Sequence, residues 1–194
     1  MLDFLVRLDQ DITLAVNSLH FSYGDYFWQF VTDKNSWFPF YAIVAVFLFR
    51  RLGWKKALIA IACLGLTILA CDQCANLFKY SVGRLRPCYN HYMIQNGLHV
   101  LEGRGSYYGF FSAHAANAFG FAMCSTKALG MDKSYKTRNY GYLVLVWAFF
   151  VAISRVFAGK HFVGDVLVGM LVGLILGYII GCIAHYVASR VLES

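Results

Sequence analysis

Five long, mainly apolar stretches of the chain contain no Asp, Glu, Lys or Arg: residues 35–49, 57–71, 105–126, 139–154 and 166–189. A helix must run for about 20 apolar residues to cross roughly 30 Å of hydrocarbon. The last stretch meets that length alone. The second meets it when the helix passes Asp72 and continues to Phe78, and the first and fourth extend into flanking residues that can snorkel. The third begins in a glycine-rich loop, so its helix is expected to start near Ser112. The pattern predicts an all-α integral membrane bundle of five transmembrane helices, at 36–51, 55–79, 112–130, 138–157 and 162–188. Residues 1–194 are read as a single domain, with a helical core over 36–188 and a long outer loop over 80–111. With 59% hydrophobic and 14% charged residues, the chain lacks the charged surface of a soluble globule, which is about 25% charged. Disorder is excluded for the same reason.

The first 35 residues differ from this pattern. Leu5, Leu8, Ile12, Ala15, Val16 and Leu19 recur at helical spacing, but Asp3, Arg7, Asp9 and Asp11 interrupt them. This predicts an amphipathic interfacial helix or a short, polar sixth span. It does not fit a signal peptide, which needs an unbroken apolar segment and a cleavage site. Residues 21–35 read as a second interfacial piece. The net charge of +7 lies in clusters between apolar blocks rather than in one stripe, so no nucleic-acid partner is expected. Arg50, Arg51, Lys55 and Lys56 mark one connection, and Lys127, Lys133, Lys136 and Arg138 mark another. Positive loops face the cytoplasm, which assigns 80–111 and 155–161 to the opposite side. Five of the six cysteines sit in apolar blocks and read as small helix residues, not as a disulfide framework. Gly169, Gly173, Gly177 and Gly181 form a stripe suited to close helix packing within the fold.

Three segments at the non-cytoplasmic ends of these spans carry complementary chemistry. The first runs from Lys79 to Arg86 and Pro87, the second is Phe111-Ser112-Ala113-His114, and the third holds Ser154, Arg155, His161 and Asp165. Lys79, Arg86 and Arg155 bring cations suited to phosphate oxygens. Ser112 can cap the helix that follows it, leaving backbone N–H groups for an anion. His161 and Asp165 are one helical turn apart, so a carboxylate can hold one ring nitrogen and free the other to attack. His114 is then available as general acid. Asp72, Asn76 and Lys79 share a helix face, and an ionisable group within a span is paired or functional. Asp72 is expected to brace Lys79 or an arginine from below. His91 and His99 lie in the 88–111 loop without ligand spacing.

These segments, K-x6-R-P, S-x-H and S-R-x5-H-x3-D, resemble the type 2 phosphatidic acid phosphatase superfamily, the lipid phosphate phosphatases. The region of resemblance runs from Lys79 to Asp165. The first and third motifs match at every defining position. In the second, Phe111 and Ala113 stand where the family usually has Pro and Gly. The resemblance implies that His161 attacks phosphorus and forms a phosphohistidine, that Asp165 orients it, and that His114 protonates the leaving group and later activates water. Lys79, Arg86, Ser112, the Ala113 N–H and Arg155 would hold the phosphoryl oxygens. No metal or other cofactor is implied. The expected function is hydrolysis of a lipid phosphate monoester or pyrophosphate at the outer face of a bacterial inner membrane. Isoprenoid or glycerolipid substrates are ranked ahead of lipid A, whose 1-phosphatases belong to the same superfamily. The large soluble haloperoxidases of that superfamily do not fit this hydropathy. A non-catalytic lipid-binding scaffold would not need His114, His161 and Asp165.

Overall fold

The computed structural model describes residues 2–192. Its elements in order are α1 (Leu2–Asn17), α2 (Ser22–Thr32), a 3-10 turn (Lys34–Trp37), α3 (Phe38–Val82), a 3-10 turn (Pro87–Tyr89), α4 (His91–Gln95), α5 (Ala113–Leu129), α6 (Arg138–Phe157) and α7 (Val163–Leu192). No strand occurs among the described residues, only an isolated bridge between Leu85 and Tyr108. Three helical segments are long and apolar enough to cross a membrane: Lys34–Val82, Arg138–Phe157 and Val163–Arg190.

The two spans expected at 36–51 and 55–79 form the continuous 45-residue α3. A straight helix of that length would measure about 65–70 Å, twice the hydrocarbon thickness. Gly53 breaks it, with φ 72° and ψ 166°, a conformation open to glycine and costly for other residues. The chain reverses there. Lys34, Trp37 and Tyr41 line the same cavity as Asp72, Lys79 and Arg86, while Arg51 pairs with Asp132 at 2.6 Å on the opposite end. The two arms of α3, then α5, α6 and α7, therefore pass back and forth between the same two ends. One end gathers Thr32, Arg86, His114, Arg155 and His161. The other holds Arg51, Asp132 and the 2.6 Å contact between His185 Nε2 and the Lys127 carbonyl.

α5 is the 17-residue centre of the bundle and packs on α3, α6 and α7. Its Ala115, Ala116, Ala118, Gly120 and Ala122 are buried and small, so its neighbours come close. The glycine stripe of α7 faces it. A methyl group at Gly169, Gly173 or Gly177 would run into the backbone oxygens of Ser112, Ala116 or Gly120. The stripe thus packs within the fold. Outward faces carry exposed Ile43, Leu58, Leu69, Leu143, Leu171 and Ile175, as a lipid-facing surface requires. All six cysteines are free.

α1 lies across one end of the bundle. From Asp9 to Asn17 its polar contacts go to the elements around the cavity: Asp9 to Arg84 and Gly164, Thr13 to Val163, Asn17 to His99, Val156 and Phe157. α2 beside it exposes Phe21 at its cap and Tyr23, Tyr26, Phe27 and Phe30 along its length.

Candidate active site

A cavity of about 340 Å³ opens at the end crossed by α1. Lys79, Arg86, Ala113, His114, Arg155 and His161 all line it, joined by Asp72, Asn117, Lys34, Trp37 and Tyr41. Two expected residues, Ser112 and Asp165, stand behind this wall with no exposure.

Ser112 is the N-cap of α5. Its Oγ accepts from the Ala115 N–H at 3.4 Å, and its own N–H donates to the Asp165 carbonyl at 3.0 Å. That second bond locks the start of α5 to the start of α7. The N–H groups of Ala113 and His114 have no partner among the described residues. They leave a helix N-terminus, with its partial positive charge, open at the cavity wall. Ala113, standing where the family has Gly, occupies that wall. Phe111, standing where the family has Pro, is buried against Phe78.

His161 is 2% exposed. Its Nδ1 lies 3.7 Å from Asp165 Oδ2 and has no hydrogen-bond partner. That separation is an electrostatic contact, too long for the hydrogen bond expected from the one-turn spacing. The Asp165 carboxylate is bonded elsewhere. Its Oδ2 accepts from the Phe162 N–H at 3.0 Å, capping the first turn of α7, and its Oδ1 accepts from Arg84 Nη1 at 2.8 Å. Arg84 in turn donates to Asp9 Oδ2 at 2.6 Å, and its guanidinium lies 4.0 Å from the centre of the Phe162 ring. Arg84 was not singled out in the sequence, although it lies inside the first motif. Gly109 was not singled out either. A methyl group there would sit 2.9 Å from Arg86 Cγ, 3.5 Å from His161 Nδ1 and 3.6 Å from Asp165 Oδ2, so only glycine leaves the site its space.

The cations are held from behind. Arg86 donates to Ser106 Oγ at 2.9 Å and to the Tyr108 carbonyl at 3.3 Å. Arg155 is 5% exposed, donates to Thr32 Oγ1, and lies 3.7 Å from Glu102 Oε2. Lys160 shares that carboxylate at 3.9 Å and donates to the Gly103 carbonyl. Glu102 and Lys160 carry no recognisable sequence signal, because their contacts join distant segments. Burial pushes the pKa of Arg86 and of Lys160 below their ordinary values. His161 is pushed well below the usual imidazole value, first by burial and then by Arg155 and Arg86. It is therefore neutral at pH 7, as a nucleophile must be.

Asp72 lines the cavity, but its Oδ1 accepts from Asn117 Nδ2 at 2.9 Å rather than bracing a cation. Lys79 Nζ donates to Asn76 Oδ1 at 3.3 Å. No ion pair joins Asp72 to Lys79, Arg86 or Arg155 among the described residues. Four cations (Lys34, Lys79, Arg86 and Arg155), two imidazoles and an open helix N-terminus thus converge on one space. Such a set binds a tetrahedral oxyanion and can transfer a group to nitrogen.

The profile of the PAP2 superfamily matches residues 56–189. The chain is 33% identical to a lipid A 4'-phosphatase of Bacteroides thetaiotaomicron over 98% of its own length and 83% of the relative's. It is 28% identical to a lipid A 4'-phosphatase of Porphyromonas gingivalis, covering 87% of this chain and 70% of that one. Among solved structures, it superposes on a transmembrane PAP2-type phosphatidylglycerolphosphate phosphatase of Bacillus subtilis with a TM-score of 0.73 at 21% identity, over 94% of this chain and 87% of that one. It also superposes on LpxE of Aquifex aeolicus with a TM-score of 0.61 at 23% identity, over 88% and 92%.

Proposed function

The chain belongs to the PAP2 superfamily and acts on lipid phosphates, and from that premise we propose that it removes a phosphate monoester from a glycolipid of the lipid A class. The sequence alone ranks isoprenoid and glycerolipid substrates first. The two relatives reverse that order, because both act on lipid A and both match over most of this chain. The phosphatase reading rests on one observation: Lys79, Arg86, His114, Arg155 and His161 face a single cavity.

In the proposed reaction the phosphoryl oxygens sit against Lys79, Arg86, Arg155 and the N–H groups of Ala113 and His114. His161 attacks through Nε2, the nitrogen turned away from Asp165. The N–P bond forms as the bond to the lipid oxygen breaks, and His114 gives that oxygen its proton. His114 then takes a proton from water, whose oxygen attacks phosphorus, and the N–P bond breaks to release phosphate and neutral His161. Asp165 offsets the positive charge on the imidazole in the intermediate. Asp72 and Asn76 hold Asn117 and Lys79 in place around the headgroup. The fixed cations stabilise the transition state through preorganised charge, worth on the order of 10²–10³ in rate per donor.

The same reading includes five membrane crossings, by the two arms of α3 and by α5, α6 and α7. The basic clusters at 50–56 and 127–138 support placing that end in the cytoplasm. The cavity then opens at the periplasmic leaflet of the inner membrane. A purified, detergent-solubilised chain should release inorganic phosphate from lipid A faster than from phosphatidic acid, phosphatidylglycerol phosphate or undecaprenyl pyrophosphate. His161→Ala should lower that rate by on the order of 10⁴-fold or more. Preference for another lipid overturns the substrate, and unchanged turnover in His161→Ala overturns the mechanism.

A further inference from the structure

A second cluster of ligand-type side chains sits apart from the cavity wall, where three separate segments meet. His20 comes from the turn after α1, Asp25 from the first turn of α2, and His99 from the outer loop. Asp25 Oδ2 lies 3.0 Å from His99 Nε2 and 3.9 Å from His20 Nδ1. The three donor atoms all lie within 4.8 Å of one another. The two imidazole rings are stacked, 3.7 Å between centres and 4° from parallel.

We propose that His20, Asp25 and His99 bind one divalent transition-metal ion of the zinc class, which clamps the outer loop onto the start of α2. Ligands on a tetrahedral zinc, bound at about 2.0–2.2 Å, stand roughly 3.3–3.5 Å apart. Asp25 Oδ2 already stands 3.0 and 3.9 Å from the two ring nitrogens, near that spacing. Because an ion lies in the plane of each imidazole it binds, the exposed His20 ring must turn out of its stack on His99 to share it. Two imidazoles and a carboxylate are the ligand set zinc accepts, with the fourth position left to water. The remaining carboxylate oxygen, Asp25 Oδ1, is buried and has no hydrogen-bond partner. No Lys or Arg pairs with Asp25 among the described residues, so a protein cation does not already fill this role.

The backbone of His99 is held in place before any ion arrives. Asn17, buried on α1, accepts from the His99 N–H at 2.8 Å and donates to the His99 carbonyl at 3.0 Å. Gly159 sits against that carbonyl, where a Cβ would approach to 2.7 Å. Three residues beyond His99, Glu102 faces Arg155 and Lys160. A metal clamp at His99 therefore sets the position of the loop behind two buried cations. It takes no part in the phosphoryl transfer, and its test is a binding measurement independent of that reaction.

The experiment titrates ZnCl₂ into the full chain in detergent micelles, followed by calorimetry, with Co²⁺ visible absorption reporting coordination. His114 and His161 can themselves attract zinc, so a His114→Gln/His161→Gln chain serves as the reference. One equivalent should bind to that reference, and His20→Ala and Asp25→Asn introduced into it should each weaken binding at least tenfold. His20 is exposed, so its replacement leaves the fold intact, and a metal-free melt equal to the reference verifies this. A melting temperature raised by zinc in the reference and unmoved in His20→Ala supports the clamp. Absence of saturable binding, or equal affinity in reference and both variants, overturns it.

Discussion

α5 and α7 begin within a hydrogen bond of each other, yet their N-termini are treated in opposite ways. Each offers unpaired N–H groups and a partial positive charge. At α7 the protein fills that site itself. Asp165 takes the Phe162 N–H, Thr13 takes the Val163 N–H at 3.0 Å and Asp9 takes the Gly164 N–H at 2.8 Å. At α5 only the Ala115 N–H is capped, and the N–H groups of Ala113 and His114 stand at a cavity lined by four cations. The same local physics yields a structural joint in one place and an uncapped helix end in the other. What separates them is whether α1 covers the helix end.

Placing a carboxylate on the open end attacks this contrast most directly. Ala113→Asp puts an internal anion where phosphate should bind, and kcat/KM for a lipid phosphate should fall on the order of 10³-fold. An unchanged value would mean that α5 does not receive the phosphoryl group. Arg84→Met comes next. It strips Asp165 of its 2.8 Å partner while leaving every cavity-lining residue in place. Turnover should drop roughly 10²-fold through kcat with KM nearly unchanged, the signature of a positioning group. A loss confined to KM would instead place Arg84 on the substrate.

Smaller effects fall at the sealed end. Asp9→Ala removes an acceptor from both Arg84 and the Gly164 N–H, and should cost about 1–3 kcal/mol of stability with less than tenfold change in kcat. Thr13→Val loses one cap and should cost about 1 kcal/mol, read as a lowered Tm at unchanged activity. If either substitution abolished turnover without destabilising the chain, the sealed end would be part of the chemistry. The acid response gives a further measure. His161 has its pKa lowered in the folded chain, so below about pH 6.5 the unfolded chain takes up a proton that the folded one refuses. Its stabilising share is complete above that pH and declines as pH falls through it. Melts from pH 7.5 to 5.5 should show a shallower decline for His161→Gln than for the native chain, and equal slopes would refute the assignment.

Lys79, Arg86, Ala113, His114, Arg155 and His161 were legible because motif spacing and hydropathy agreed, whereas Lys34, Trp37, Tyr41 and Asn117, which also line the cavity, lie outside the motifs. Charge-free stretches located the helices to within a few residues, and the cations and imidazoles fell at their ends. The stretch broken at Gly53 was readable as two spans because Arg50, Arg51, Lys55 and Lys56 flank it. What holds those residues was not legible. One-turn spacing of His161 and Asp165 suggested a direct bond, but the helix cap and Arg84 compete for the carboxylate and win. Asp72 shares a face with Lys79, yet Asn117 on a neighbouring helix is nearer. Asp9 and Glu102 act across contacts between distant segments, and a helical period carries no information about those. His99 looked isolated because its neighbours His20 and Asp25 lie far away in sequence.

The glycine seam between α5 and α7 bears on how the protein is made. α7 follows the other described helices in the sequence, so both arms of α3, then α5 and α6, leave the ribosome before it. Lys79, Arg86, His114 and Arg155 therefore precede α7 in order of synthesis, whereas His161 and Asp165 stand at its start. Only when the glycine face of α7 packs against α5 does His161 come to face those residues across the cavity. One wall of the cavity thus waits for the other, and the seam that joins them is built of glycine so that nothing bulky delays the fit.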